Sequence, residues 1–301
     1  MSNPDYLGFF LLLVMDSNSK HMYRISGLWL ILFSWVLTGC IPSPLEVDDI
    51  PTLPVKLVVS SQVVPGQGLA VMVTRSIGAL DAGRGSDLQA LISQVAVDDA
   101  LVTLEHDGQR DTLVYQAYGI YLGASDAIAS GKAYTLRVNS PTFGEVSSTT
   151  VAPRQVSFQS VSAELYLTGY DTLASITYSL VDPAEKNWYM INVQKFSAKQ
   201  EIDSYLNPRI FTRLVKDDVF SGKEFQEQFN VIFQDFSMGD SVIVTMSSIS
   251  EEYHHYLSLR NDSRYSLAGF ATEPLNFPSN VKGGYGYFNL HIPDVRVVVM
   301  E

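Results

Sequence analysis

The chain has a single cysteine, Cys40, among its 301 residues. No intramolecular disulfide can form, so the fold must stand on its packed core. Cationic residues are also scarce. Against 32 Asp and Glu there are 20 Lys and Arg, a formal net charge of −12. Such a balance gives little with which to neutralise a phosphate backbone, which argues against a nucleic-acid partner. It also provides no polybasic segment for an anionic lipid surface, and the acidic excess reads as a solubilising one. The familiar catalytic signatures are missing too. There is no glycine-x-serine-x-glycine elbow and no histidine-glutamate-x-x-histidine run. Ser221-Gly222-Lys223 lacks the glycine five residues ahead that a phosphate loop requires. No catalytic residue, metal ligand set or cofactor is therefore expected. What is present is a globular composition, 46% hydrophobic and 17% charged, in a chain long enough for two domains.

The position of Cys40 decides how to read it. It closes the apolar run from Leu28 to Leu37, which Thr38-Gly39 separates from the thiol. Such a run fits the apolar segment of an export signal and is too short to span a ~30 Å bilayer core. Arg24 supplies a short basic start. Leu37-Thr38-Gly39-Cys40 looks like a bacterial lipobox, with cleavage between Gly39 and Cys40 and lipidation at Cys40. The rival reading, a buried free cysteine after a core helix, sits poorly with the spacer Ile41-Pro42-Ser43-Pro44 that follows. The earlier apolar run, Leu7 to Met15, is flanked by Asp5 and Asp16, which are wrong for a signal start. Met22 is the expected true start, with residues 1–39 as a signal segment outside the fold. Residues 40–54 then read as a lipidated tether, stiffened by Pro42, Pro44, Pro51 and Pro54. The acidic residues Glu46, Asp48 and Asp49 within it are a candidate sorting signal for surface display.

From Val55 the chain becomes a series of short β-branched runs. Strands are expected near 55–60, 69–75, 101–106, 111–115, 119–122, 132–138 and 145–151, with Pro65-Gly66 and Asp107-Gly108 as turns. Ser86-Asp87-Leu88-Gln89 has capping-box spacing and predicts a short helix over 87–94. The regular turn rhythm indicates an immunoglobulin- or transthyretin-like antiparallel sandwich over 55–152. Pro153 marks a boundary, and 153–301 reads as a second β-rich domain. There, Leu173–Val181 and Trp188–Phe196 flank the turn-rich stretch 182–187 and predict a hairpin. Residues 199–215 are ambiguous between a helix and an irregular segment. Ser248-Ile249-Ser250-Glu251 predicts a capped helix to about Arg260, with Ile249, Tyr253, Tyr256, Leu257 and Arg260 near one face. Val295–Met300, very apolar, predicts a final strand set inside a sheet and not free. The fold class is therefore mainly β: two antiparallel sandwich-like domains in series, the second with a short capped helix.

One segment carries a family resemblance. The helix from Ile249 to Leu259, then Pro274, then Asn280-Val281-Lys282-Gly283-Gly284-Tyr285-Gly286-Tyr287-Phe288, resembles the domain-of-unknown-function family 4249. The lipobox and the Leu57-Val58-Val59 strand after a proline-rich tether fit that resemblance, which spans roughly Cys40 to Phe288. Tyr285 stands where a smaller aliphatic residue is common in the family. The resemblance implies lipoproteins of Bacteroidetes-type bacteria, held at the outer membrane beside nutrient-uptake receptors. It implies no activity, because the family has none assigned.

Local candidates for chemistry are few. His254-His255 is the only adjacent histidine pair, and neighbours on a helix point about 100° apart, so they cannot share one metal. They read as surface residues. Asp98-Asp99 and Asp217-Asp218, like Asp48-Asp49, lack calcium-loop spacing and read as solvated turns. Tyr285, Tyr287 and Phe288, set among Gly283, Gly284 and Gly286, are candidate ligand contacts. Their rival reading is a bulged strand whose glycines admit aromatic neighbours to the core. The functional expectation is a non-enzymatic outer-membrane lipoprotein, an accessory or ligand-binding component of an uptake system, with the membrane and an uptake receptor as partners. Its rivals are an envelope hydrolase acting on glycan or peptide polymer, and a structural or adhesive surface module.

Overall fold

The computed structural model describes residues 54–66, 68–77, 88–123, 128–167, 172–196, 210–231, 237–265 and 277–300. Gly39, Cys40, the acidic pair Asp48-Asp49, Ser86, Asp87 and Pro274 lie outside them. The described residues are mainly β, arranged in four sheets. No helix among them is long and apolar enough to cross a membrane.

Strand β1 (Leu57–Val64) sets the pattern of the first sandwich. Leu57, Val59, Ser61 and Val63 are buried, while Val58, Ser60 and Gln62 turn to the opposite face. That period-2 alternation is what a sheet with one face on a core requires. β1 pairs antiparallel with β2 (Gly68–Arg75), and β2 with β6 (Ile120–Gly123), which pairs with β5 (Val114–Ala117). The facing sheet runs β4 (Gln109–Thr112), β3 (Leu101–His106), β7 (Ala133–Ser140), β8 (Gly144–Val151). The run expected near 111–115 is thus split between β4 and β5, in two different sheets. Asp107 and Gly108 take φ of +46° and +79°, so the β3–β4 hairpin turns on two left-handed residues as predicted. Helix α1 (Leu88–Val95) precedes β3. Behind it the Tyr121 hydroxyl donates to the Val97 carbonyl at 3.0 Å and accepts from the Ala100 amide at 3.1 Å.

The second core lies between a sheet ordered β13 (Glu224–Val231), β10 (Thr172–Val181), β9 (Phe158–Leu167) and another ordered β12 (Phe211–Lys216), β11 (Trp188–Lys195), β14 (Ser241–Ile249), β16 (Asp294–Val299). Ala174, Ile176, Tyr178 and Leu180 meet Tyr189, Ile191 and Val193 there. Asp294 accepts from the Phe158 amide at 2.8 Å, and Arg296 donates to the Phe158 carbonyl at 3.2 Å, tying β9 to β16. The expected hairpin of β10 with β11 does not form, because β10 pairs with β9 and β13, and β11 with β12 and β14. The stretch 182–187 is instead a crossing between sheets, and buried polar contacts hold it. Asp182, 3% exposed, accepts from the Tyr189 hydroxyl and from the Gly222 amide at 2.9 Å. Asp217, 1% exposed, accepts from the Asn187 amide at 2.6 Å. Asp217 is therefore a buried loop anchor and not the solvated turn expected. The ambiguous stretch ends as a strand, β12, paired with β11.

Helix α2 (Glu251–Tyr265) begins two residues later than the expected box. Ser250 is the cap, its hydroxyl accepting from the Tyr253 amide at 3.1 Å. Glu251 and Glu252 in the first turn favour the positive end of the helix. α2 packs on the face of β11 and β14 that points away from the second core, with Tyr253 and Leu257 against Met190 and Ile249. Eight of the nine residues of β14 are buried: Val242, Val244 and Met246 lie on the core, and Ile249, on the opposite face, lies against α2. His254, 6% exposed, goes down with that face, which corrects its reading as a surface residue, while His255 stays exposed.

After α2 the chain returns to the first sandwich. β15 (Tyr285–Tyr287) pairs parallel with β1, and Lys282 bridges Ser147 of β8. Val281, Phe288 and Leu290 are buried in the first core. The Asn280 side chain accepts from the Phe288 amide at 2.9 Å and donates to its carbonyl at 2.7 Å, replacing a missing neighbour strand. This approach depends on glycine. Gly286 sits at φ +104°, and a Cβ there would lie 1.9 Å from the Val59 carbonyl oxygen. Gly66 has φ +74° with nothing within 4 Å of a Cβ. Substituting each by alanine separates strain from collision. Gly66→Ala should cost only the ~1–2 kcal/mol of a left-handed residue, and Gly286→Ala more than about 4 kcal/mol, read from urea unfolding midpoints.

Candidate functional site

The outward faces of two sheets create a cleft between the sandwiches. On the first, β1 presents Ser60 and Gln62, across from Met72 and Ala70 of β2, and Ile120 of β6 lies beyond Met72. On the second, β11 and β12 present Met190, Asn192 and Thr212. α2 lays Tyr253, Leu257 and Arg260 along one side, at the i, i+4, i+7 spacing of a single helix face. The space enclosed is ≈ 360 Å³, in the range of small-molecule pockets. Among the described residues that line it there is no carboxylate.

Several polar groups in the wall are held in place. Asn192 and Thr212 are cross-strand partners, and the Thr212 hydroxyl donates to Asn192 Oδ1 at 2.8 Å. That contact leaves the Asn192 amide nitrogen with two hydrogens to donate and the Thr212 oxygen with lone pairs to accept. His291, 4% exposed, also lines the cleft. Asn289 Nδ2 lies 3.2 Å from its Nδ1, so Nδ1 accepts and the ring proton resides on Nε2. Asn289 is fixed in turn by Ser61, whose hydroxyl accepts from its amide at 2.8 Å and donates to its carbonyl at 2.9 Å.

The candidate contacts from the C-terminal glycine-rich segment are distributed differently. Phe288 is fully buried in the first core. Tyr287, 7% exposed, packs its ring 5.2 Å from Tyr253 and 4.9 Å from Tyr256. Burial holds its phenol above the ordinary tyrosine range. Tyr285 is exposed, with the Lys56 ammonium 5.1 Å from its ring centre. The structure brings none of the three into the cleft lining. Tyr287 supports that site from behind, through Tyr253. Asp98-Asp99 is a surface pair whose Asp99 accepts from Ser140 and Thr142 at 2.9 and 3.0 Å. Among the described residues no group of three or more His, Cys, Asp or Glu could hold a metal ion.

Residue-by-residue reading missed Asn192, Thr212 and His291. A signal existed for one of them. The outward positions of β11 carry Trp188, Met190 and Asn192, too apolar for a solvated face, and Met190 is buried along with Tyr189 and Ile191. That mixture marks a second covered surface. Nothing in the sequence pairs it with Gln62 and Met72 more than a hundred residues earlier.

The fold and cleft define a class: a β protein of two sandwiches whose candidate site lies where their outer faces meet. The sequence pattern of the domain of unknown function DUF4249 matches residues 43–291, and the chain belongs to this family. No curated protein matches it. Among solved structures, the crystal structure of chicken CNTN1 FN1–FN3 domains aligns over 82% of this chain and 68% of that one, at 11% identity and a TM-score of 0.22.

His291 gives the site a pH signature. Burial pushes its imidazole down to about 4, against the ~6.5 of an exposed histidine. The unfolded chain therefore binds a proton below pH ~6.5 that the folded chain refuses until about 4. The stability tied to this group is complete above pH ~6.5 and falls by about 3 kcal/mol as the pH approaches 4. His254 is displaced in the same direction, chiefly by burial. Urea unfolding at pH 7 and 4.5 should show a smaller loss in His291→Asn than in the unsubstituted protein. Equal losses would mean that His291 is not held neutral.

Proposed function

We propose that this DUF4249 protein is a lipid-anchored outer-membrane protein of the cell envelope. It serves as a non-enzymatic, ligand-binding accessory component of an uptake system. The observation that carries the reading is the cleft between the sandwiches, ≈ 360 Å³ in volume, with an aliphatic wall and fixed hydrogen-bonding groups. Pockets that combine apolar walls with a few placed polar groups are the usual form of a small-ligand site. The lipobox ending in Cys40 and the proline-rich tether support the anchored location. Its periplasmic or surface orientation is set by sorting after export.

Anchor and uptake role are tested separately. Cys40→Ala should move the protein from the membrane pellet to the soluble fraction, with loss of the acyl mass from its N-terminal peptide. Membrane retention through an uncut N-terminus, with no acyl mass on the unsubstituted protein, would sink the anchor reading. Affinity capture of the tethered protein from membranes should recover an outer-membrane receptor or porin. Repeated captures without one would remove the uptake assignment while leaving the cleft as a binding site.

A further inference from the structure

We propose that the cleft between the sandwiches binds a short peptide segment, holding its backbone with carboxamide and hydroxyl side chains and resting an aliphatic side chain on methionine. The inference rests on the ligand-binding reading and names its ligand class.

Three features of the wall point this way. The first is the Asn192–Thr212 pair, which the 2.8 Å bond between them orients. Together they offer an N–H donor and an oxygen acceptor from neighbouring strands, the complement of the C=O and N–H that one extended residue turns to the same side. Gln62 and Asn261, also in the lining, are carboxamides with the same dual capacity. The second feature is His291, whose remaining donor is its Nε2–H, since Asn289 occupies Nδ1. A neutral N–H in the lining suits a peptide carbonyl as its acceptor.

The third feature is the apolar part. It consists of Met72 and Ile120 on one sheet face, with Met190 and Leu257 on the side of the second sheet and α2. Unbranched thioethers adapt to aliphatic side chains of differing shape, which suits a sequence-tolerant site. A sugar is matched less well. Pyranose rings favour a flat aromatic face, and the aromatic residue in the lining, Tyr253, stacks on Tyr256 with ring centres 6.0 Å apart and lies 5.2 Å from the Tyr287 ring. The size agrees as well. A volume of ≈ 360 Å³ corresponds to roughly 12 groups of water size at ~30 Å³ each. That is about one leucine-sized side chain with two flanking peptide units, and because the cleft is open, the second side chain of a dipeptide projects from it.

The test is calorimetric titration of the full chain reconstituted in nanodiscs, with empty nanodiscs as the blank. The probes are acetyl-dileucine amide, its backbone N-methylated counterpart, acetyl-diserine amide and maltose. Acetyl-dileucine amide should bind saturably and at least tenfold more tightly than the other three. Asn192→Leu should weaken it tenfold or more. Met72→Gln, at a half-exposed position that the fold tolerates, should narrow the preference for leucine over serine severalfold. Equal binding of the N-methylated peptide, or an Asn192→Leu protein that folds and binds unchanged, overturns the proposal. Saturable maltose binding without peptide binding overturns the peptide assignment and leaves a ligand-binding protein. Failure of all four probes to bind overturns both.

Discussion

The parallel pairing of β15 with β1 is the contact on which the rest of the architecture depends. The first sandwich is built almost wholly from residues 57–152, yet its core is completed by Val281, Phe288 and Leu290 from the far end of the chain. Asn280 and the Ser147–Lys282 bridge hold that segment between the two sheets. Glycine at 286 lets the strands approach closely enough to bond. Because the same stretch goes on into β16, an edge of the second sandwich, one short run of backbone belongs to both cores. Rigid-body independence of two β modules joined at a single linker is therefore excluded for the described residues.

Tyr287 carries this constraint into the site. It sits on β15, bonded into the first sandwich, while its ring packs against Tyr253 and Tyr256 of α2. α2 in turn packs on the outer face of β11 at Met190 and on Ile249 at the end of β14. The helix that walls the cleft is thus positioned by a residue of the opposite sandwich. His291 and Asn289 follow directly from the same segment, fixed by Ser61 of β1. The lining draws together Ser61 and His291, and the contact that joins them runs through Asn289, 228 positions from Ser61 in sequence.

Much of the fold was legible because strands obey a period of two wherever one face is wet. β1 and β7 lie close to their expected positions for that reason, whereas β3, β11 and β16 were legible only as apolar runs, and β16 is an edge strand with Val295, Val297 and Val299 exposed. The reading failed where side-chain chemistry, not periodicity, directs the chain. Asp182 and Asp217 look like turn residues by type, but their carboxylates cap buried amides where the chain passes between sheets, so the expected hairpin becomes a crossing. The helix start shifted because two serines, Ser248 and Ser250, both fit a cap, and β14 continues through the first of them. His254 was misjudged because burial of a helix face depends on what lies opposite. The cleft was not legible at all: it exists only once two outward faces from distant strands oppose each other.

Ribosomes release a chain from its N-terminus. The sandwich that emerges first here cannot close until almost the last residues have appeared, since its missing strand lies at 285–287. Until then β1 is an open edge with half its backbone groups unpaired. The second sandwich lacks β16 over the same interval. Both cores are completed by one late stretch of about fifteen residues, a topology of high contact order that makes closure of the two halves a single, slow event. A truncated or stalled chain would therefore present two unfinished sheets instead of one finished domain and one absent.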